Sequence, residues 1–452
     1  MKWPLGAVLP LIFLFCTSLS ACGPRETVIT ILGENSGNLQ SMRAMADSCE
    51  ARLGIKLEFK PNTFEDAFTK GRNDLQNKTG LYDIILLYNL SLSDFVRHKY
   101  VYTLDELKPF VPDQDLTFES ELFPGAWQEI GWYYKHPSQL PEITDSTCVG
   151  YPFAANTMIL VFNKDLFTDP ANQKRYKDIY HEKLDTPKTW EQFKRIADFF
   201  TDPARNTYGL CMTGADSGWL YYEYCNILYG MGGAVYRKKF GWQLDSNEGL
   251  QLQKPESVKA TIFFDSLKYD TPPDAWNTNA ETQVSKMRQG NIAMAIMWSD
   301  YLHSFTYGQS DSPNAHFSFS PVPGEYSPLA GGIFYINRQS EHAPEAARYI
   351  ATILARDNQV RLARAGLCSP LTSAYDDPGV RQLPYANALR VSLKRGVYMF
   401  EAGPDAELTQ NVLTKYLRGH MWFHKFPTVE EALDSACQEI MNERSKSFQP
   451  RP

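Results

Sequence analysis

Tyr151-Pro-Phe-Ala-Ala-Asn-Thr-Met-Ile-Leu-Val-Phe-Asn-Lys-Asp-Leu-Phe167 decides the fold. Its centre, Met158 to Phe162, is a continuous apolar run, and such a run reads as a strand buried on both faces of a parallel sheet. Gly80 to Leu87 and Ile292 to Met297 read the same way, and Thr27 to Leu32 reads as a first strand followed by a polar loop over 33–37. Helical patterns lie between these strands. Thr189-Trp-Glu-Gln192 is a capping box in which Thr and Gln side chains satisfy each other's free backbone N–H groups, and Trp190, Phe193, Ile196, Ala197 and Phe200 then mark one face. Thr428-Val-Glu-Glu431 repeats the device, with Val429, Ala432, Leu433, Ala436 and Ile440 on one face. Pro344 sits where a first helical turn tolerates it, ahead of Ala346, Ile350, Ile353 and Leu354. The alternation predicts an α/β protein throughout.

Working outward, 452 residues are too many for one ordinary core and fit two lobes. No short-period repeat and no low-complexity linker divides the chain, so it is expected to cross between the lobes more than once. With 43% hydrophobic and 21% charged residues the composition is globular. The net charge of −7 excludes the basic footprint of a nucleic-acid binder.

The N-terminus predicts the compartment. Lys2 precedes an apolar run from Leu5 to Leu19, too short and lightly flanked for a membrane span. The run ends in Leu19-Ser20-Ala21-Cys22-Gly23, which resembles a bacterial lipobox. The resemblance implies removal of residues 1–21, acylation of Cys22 (palmitate among the chains) and an extracytoplasmic body held on a membrane by its lipid. Two acyl chains anchor stably where one does not. Of eight cysteines, Cys16 leaves with the signal and Cys22 is lipidated. Cys49, Cys148, Cys211, Cys225, Cys368 and Cys437 remain, either as disulfides, which an oxidising space permits, or as buried thiols.

Catalytic and metal signatures are thin. His420 and His424 have the i, i+4 spacing of half a metal site but lack a partner motif. Gly214-Ala-Asp-Ser-Gly218 misses the Gly-x-Ser-x-Gly spacing of a nucleophile elbow, and no phosphate loop occurs. A glycosidase carboxylate pair is the enzyme alternative. The expectation is a non-enzyme with no cofactor and no metal.

The opening stretch also resembles the crossing-strand motif of family 1 extracellular solute-binding proteins, the maltose-binding-protein type. Pro187-Lys-Thr-Trp-Glu191, Met231-Gly-Gly233, Gly290-Asn-Ile-Ala-Met-Ala295, Ala330-Gly-Gly-Ile-Phe-Tyr-Ile336 and Thr428-Val-Glu-Glu-Ala-Leu433 resemble further family segments, in order along nearly the whole mature chain. The resemblance implies a two-lobe periplasmic-binding-protein fold with hinge crossings and an interlobe ligand cleft. It places the first lobe at 25–153 plus 320–370 and the second at 156–316 plus 375–452. It also implies the substrate-binding component of an ABC importer, monomeric, which takes a mono- or oligosaccharide to a membrane permease. The alternatives are a polyamine or a phosphorylated polyol, which a strongly acidic or basic cleft would favour.

Ligands of open α/β sheets sit beyond the carboxyl ends of strands. That rule nominates Glu34 and Asn35, Tyr88 and Asn89, Ala155 and Asn156 after the crossing, and Trp298 with Asp300. Gly331 and Gly332 are nominated for close backbone approach. Trp219 and Tyr222 come from the aromatic segment that faces the cleft in the family; the alternative for them is ordinary helix core. Flat aromatic faces suit pyranose C–H faces, and Asp, Glu and Asn suit hydroxyl edges. Asn156 stands where maltose-type proteins carry Glu, which points away from maltose itself.

Overall fold

The computed structural model describes residues 26–447, apart from 124–126, 128–129, 135–145, 217, 237, 240–242, 245–249, 307–315, 325 and 399–405. Cys22 and the leader lie outside the described residues.

The apolar runs become the centre of the molecule. The strands that matter are β1 (Val28–Glu34), β2 (Lys56–Asn62), β3 (Ile84–Tyr88), β4 (Pro152–Asn163), β5 (Tyr208–Leu210), β6 (Ile292–Trp298), β7 (Phe317–Pro321) and β8 (Ser327–Ile336). Among the described residues they form one hydrogen-bonded path in the order β2-β1-β3-β8-β4-β6-β5, with β7 also on β4. The long strand β4 carries the two-lobe design. Its first half pairs with β8, as in Gly331 opposite Ala155, and its second half pairs with β6 and β7, as in Met297 opposite Ile159. One strand thus belongs to both sheets, and the chain passes between lobes there.

The strand directions correct the sequence reading. β1 is parallel to β2 and β3, and β6 is parallel to β5. β4, however, is antiparallel to β6, β7 and β8, and β3 is antiparallel to β8. A continuous apolar run reports burial on both faces; helices cover both faces of a mixed sheet as well as of a parallel one, so the run does not fix direction.

The helices follow their caps. Thr189 forms the reciprocal box with Gln192 ahead of Trp190–Phe200, and the five apolar residues of its inner face are all buried. Phe193, Ile196 and Phe200 each stabilise the fold by about 1.5–3 kcal/mol relative to exposure. At the last helix, Val429–Ser447, the Glu431 N–H donates to Thr428 Oγ1. The helix Trp219–Gly230 has no polar face: residues 219–228 are all buried. Even its Glu223 and Asn226 are buried, so it is an interior helix, and Trp219 at its N-terminal end lines the pocket described below. The six described cysteines are all free thiols, with no disulfide among them. His420, in the last turn of the helix Ala406–Met421, is tied to the Phe426 carbonyl oxygen beyond that helix at 2.9 Å.

Candidate ligand-binding site

A pocket with about 390 Å³ of space unfilled by atoms, part of it open to solvent, lies where these strands meet. Phe64, Tyr88, Leu90, Asn156, Trp219, Tyr222, Trp298, Asp300 and Ala330 line it. Its placement follows from strand geometry. β3 ends at Tyr88, β6 ends at Trp298 with Asp300 two residues on, and β4 presents Asn156 where it leaves β8 for the second sheet.

Aromatic rings form the walls. Trp219 meets Phe64 with centroids 5.3 Å apart, Tyr222 edge-on at 6.1 Å, and Tyr301 at 5.8 Å. Tyr222 stands edge-on to Trp298 at 5.5 Å, and Phe64 lies 5.7 Å from Tyr88. Tyr222 is held by donation to Gln410 Oε1 at 3.0 Å.

Carboxyl groups form the floor. Glu34, 5% exposed, ends β1 and lies behind Tyr88. The Tyr301 hydroxyl donates to its Oε1 at 2.6 Å, and the Tyr88 hydroxyl contacts its Oε2. Tyr88 Oη also lies 3.2 Å from Asp300 Oδ2, and Asp300 is 2% exposed. Glu281 Oε1 is 3.3 Å from Tyr301 Oη. Burial, with the Asp300 charge second, pushes the Glu34 carboxyl up to about 8; burial pushes Asp300 up to about 6. Burial likewise raises the Tyr88 and Tyr301 hydroxyls well above their ordinary range. With a proton on Glu34, the three groups chain naturally: Glu34 O–H donates to Tyr88 Oη, and Tyr88 donates to Asp300. Among the described residues no Lys or Arg lines the pocket. His303, which faces Gly37 and Gln40, is pushed down by burial and adds no cation at neutral pH.

Side chains from distant stretches of the chain meet around this floor. Asn38 Nδ2 lies 3.4 Å from Asn156 Oδ1, His303 Nε2 lies 3.2 Å from Gln40 Oε1, and Arg72 forks onto both oxygens of Glu407.

Of the residues nominated from sequence, Tyr88, Asn156, Trp219, Tyr222, Trp298 and Asp300 line the pocket and Glu34 stands directly behind it. Others are placed elsewhere. Asn35 is exposed, its side chain turned toward Gln40. Asn89 opens the turn after β3, and its side chain lies outside the described residues. Ala155 is fully buried in the sheet, its N–H donating to the Cys368 carbonyl. Gly331 and Gly332 admit protein, not solute: a methyl on Gly331 would land on Ile130, and one on Gly332 on the Phe153 ring. Phe64, Leu90, Ala330, Asn38 and Tyr301 were not nominated. Phe64 follows the end of β2, so the strand-end rule would have found it had β2 been read as a strand.

Residues 36–360, well over half of the chain, match the family model described as bacterial extracellular solute-binding protein. The chain belongs to that family. As an extracellular solute-binding protein it is a binding receptor and not an enzyme. Solved structures share its fold over nearly all of its length. An ABC transporter solute-binding protein from Agrobacterium radiobacter, in complex with ribitol, superposes with a TM-score of 0.75 at 20% identity, covering 93% of this chain and 99% of that one. Maltose-bound T. maritima MalE3 gives 0.73 at 17% identity, covering 92% and 99%. The GacH receptor of Streptomyces glaucescens, studied unliganded and with acarbose, gives 0.72 at 16% identity, covering 93% and 98%. The solute-binding protein therefore has the two-lobe periplasmic-binding-protein fold expected from its sequence. No helix among its described residues is long and apolar enough to cross a membrane.

Proposed function

We propose that this solute-binding protein captures a carbohydrate in the interlobe pocket and delivers it to the membrane permease of an ABC importer, tethered to the membrane through acylated Cys22. The observation that carries the reading is the pocket itself. Indole and phenol rings from several elements line the pocket, with Asn156 and Asp300 as polar groups among them. This is the general design of small-molecule sites, apolar walls with a few fixed polar contacts. The relatives solved with ribitol, maltose and acarbose support a polyol or sugar as the solute class.

The mechanism we infer is closure. The lobes, 25–153 plus 320–370 and 156–316 plus 375–452, rotate about the crossings in β4 and β8. A ligand that touches both lobes stabilises the closed form only by its differential affinity for it. Trp298, Asp300 and Trp219 on one side and Tyr88 and Phe64 on the other make such contacts possible.

A thermal-shift screen of the mature body against mono- and oligosaccharides tests the reading. A solute at 100 times its dissociation constant should add about 2.7 kcal/mol of stability. A panel of sugars and polyols that leaves the melting temperature unmoved would overturn it.

A further inference from the structure

Two unmet polar groups on one pocket say more about the solute. Asp300 Oδ1 is buried and no donor closes on it, although the Asn156 side chain lies alongside and favours the ionised carboxylate. The indole N–H of Trp219, a residue 6% exposed, is buried without an acceptor. A buried polar group without a partner is costly, and at a binding site the partner is what the ligand brings. The ligand therefore offers both an acceptor to Trp219 and a donor to Asp300.

The charge around Asp300 decides what kind of donor. Glu34 and Glu281 stand in the same cluster, linked to it through Tyr88 and Tyr301, and Glu281 Oε2 is also buried and unpartnered. A neutral hydroxyl would satisfy Asp300 Oδ1 but leave the group of acids without a counter-charge. A positive charge within about 4–6 Å favours the ionised form of each carboxyl. A metal ion does not fit, since among the described residues no three acid, His or Cys side chains converge as a cage. A plain polyamine does not fit either: its nitrogens are donors when charged and leave the Trp219 N–H unmet.

We propose that the solute is an amino sugar, its ammonium group seated on Asp300 within reach of the Glu34 charge and a ring or hydroxyl oxygen accepting from Trp219. The proposal rests on the carbohydrate reading above and narrows it. The ring lies against the aromatic walls, and the cation replaces the proton that the Glu34–Tyr88–Asp300 chain holds when the pocket is empty. Binding is therefore coupled to proton release.

Titration calorimetry on the wild-type mature protein at pH 7 tests this with matched probes. The panel is glucosamine, galactosamine and mannosamine with their β-linked dimers, the corresponding N-acetyl sugars, the corresponding neutral hexoses, and putrescine. The expected result is an amino sugar bound at least about tenfold more tightly than its N-acetyl and hydroxyl counterparts, a gap that Asp300→Asn closes. Repeating the titration in buffers of different ionisation enthalpy should show protons released. Equal or tighter binding of a neutral hexose or N-acetyl sugar overturns the proposal and leaves the carbohydrate reading standing. Binding of putrescine alone overturns both, and binding of no member of the panel overturns the proposal while the broader sugar and polyol screen decides the carbohydrate reading. Tight amino-sugar binding without proton release overturns the proton exchange between Glu34 and the ammonium group.

Discussion

The Tyr301 hydroxyl donates to Glu34 at 2.6 Å, so a side chain that follows β6 in one sheet grips the carboxyl that ends β1, the first strand of the other. This contact crosses the cleft at its floor, and it joins a cluster that holds Tyr88, Asp300 and Glu281 together. Closing the lobes therefore means burying acids against one another, and the state of their protons sets how easily it happens.

The pH dependence of closure follows with a definite sign. Glu34 is pushed up to about 8 in the closed arrangement, by burial first and by Asp300 second. If the lobes open as proposed, it meets water and should titrate near its ordinary value, about 4.3. The closed form binds that proton more tightly, so its advantage is complete below about pH 4 and is lost as pH rises through about 8. Asp300, raised to about 6, gives up its share earlier along the same direction. The groups facing Glu34 are Tyr88, Tyr301, Asp300 and Glu281, all acids, so no nearby base reverses the sign. Small-angle scattering without ligand should show a larger radius at pH 9 than at pH 5.5, and Glu34→Gln should stay compact at both. A wild-type radius independent of pH would dismiss the coupling.

The aromatic wall predicts a split between affinity and stability. Trp298 and Trp219 are both buried and line the pocket, and under the proposed closure the pocket-facing part of each should be uncovered when the lobes part. Trp298→Ala and Trp219→Ala should each weaken sugar binding by about 2 kcal/mol, more than tenfold. The ligand-free protein should lose less than the about 3–5 kcal/mol that truncating a core Trp costs. Calorimetry paired with denaturant unfolding reads both quantities. Wild-type affinity with a large fall in unfolding midpoint would return the two residues to the core.

Much of the site was legible because strands announce their ends. Tyr88, Trp298 and Asp300 were each found by reading an apolar run and stepping off its carboxyl end, and Asn156 by its place at the crossing, ahead of the run Met158 to Phe162. The same step fails at Phe64 because β2, Lys-Leu-Glu-Phe-Lys-Pro-Asn over 56–62, is a half-exposed edge strand whose charges and proline hide it. Trp219 and Tyr222 needed the family resemblance, since a helix buried on every side gives no periodic cue to which face meets a cavity. Asn38 and Tyr301 depend on how one lobe docks against the other, which no local pattern encodes. The antiparallel course of β4 was illegible for the reason already given: burial on both faces leaves direction open.

The anchor can be tested apart from the pocket. Leu19-Ser20-Ala21-Cys22 motivates the prediction that Cys22→Ala abolishes fatty-acid labelling and releases the protein from the membrane. Folding should be untouched, because the described core begins downstream with Ile29 and Ile31. Metabolic labelling with a palmitate analogue and fractionation measure the outcome. Label retained in the variant would show that another residue carries the lipid, or that none is attached through this cysteine.

Gly331 and Gly332 look from sequence like a place for a ligand to approach, and the structure gives that space to protein. Gly332 pairs with both Ala154 and Tyr88, and the register between β8 and β4 shifts just after it. Such an irregularity bends a strand locally, here where the two strands pass from one lobe to the other. The Phe153 ring fills the room over Gly332, where an added methyl would collide with it. Phe153 is itself fixed edge-on against Phe334 at 5.6 Å, so the ring has little freedom to retreat. Gly332→Ala should therefore destabilise by about 1–3 kcal/mol, the usual cost of overpacking a well-filled interior. Its effect on affinity should be indirect, through the crossing and not through a lost contact. The measurement is a pair of denaturation curves with and without saturating solute, compared with Trp298→Ala. If Gly332→Ala kept full stability while losing affinity as Trp298→Ala does, the glycine would face solute after all.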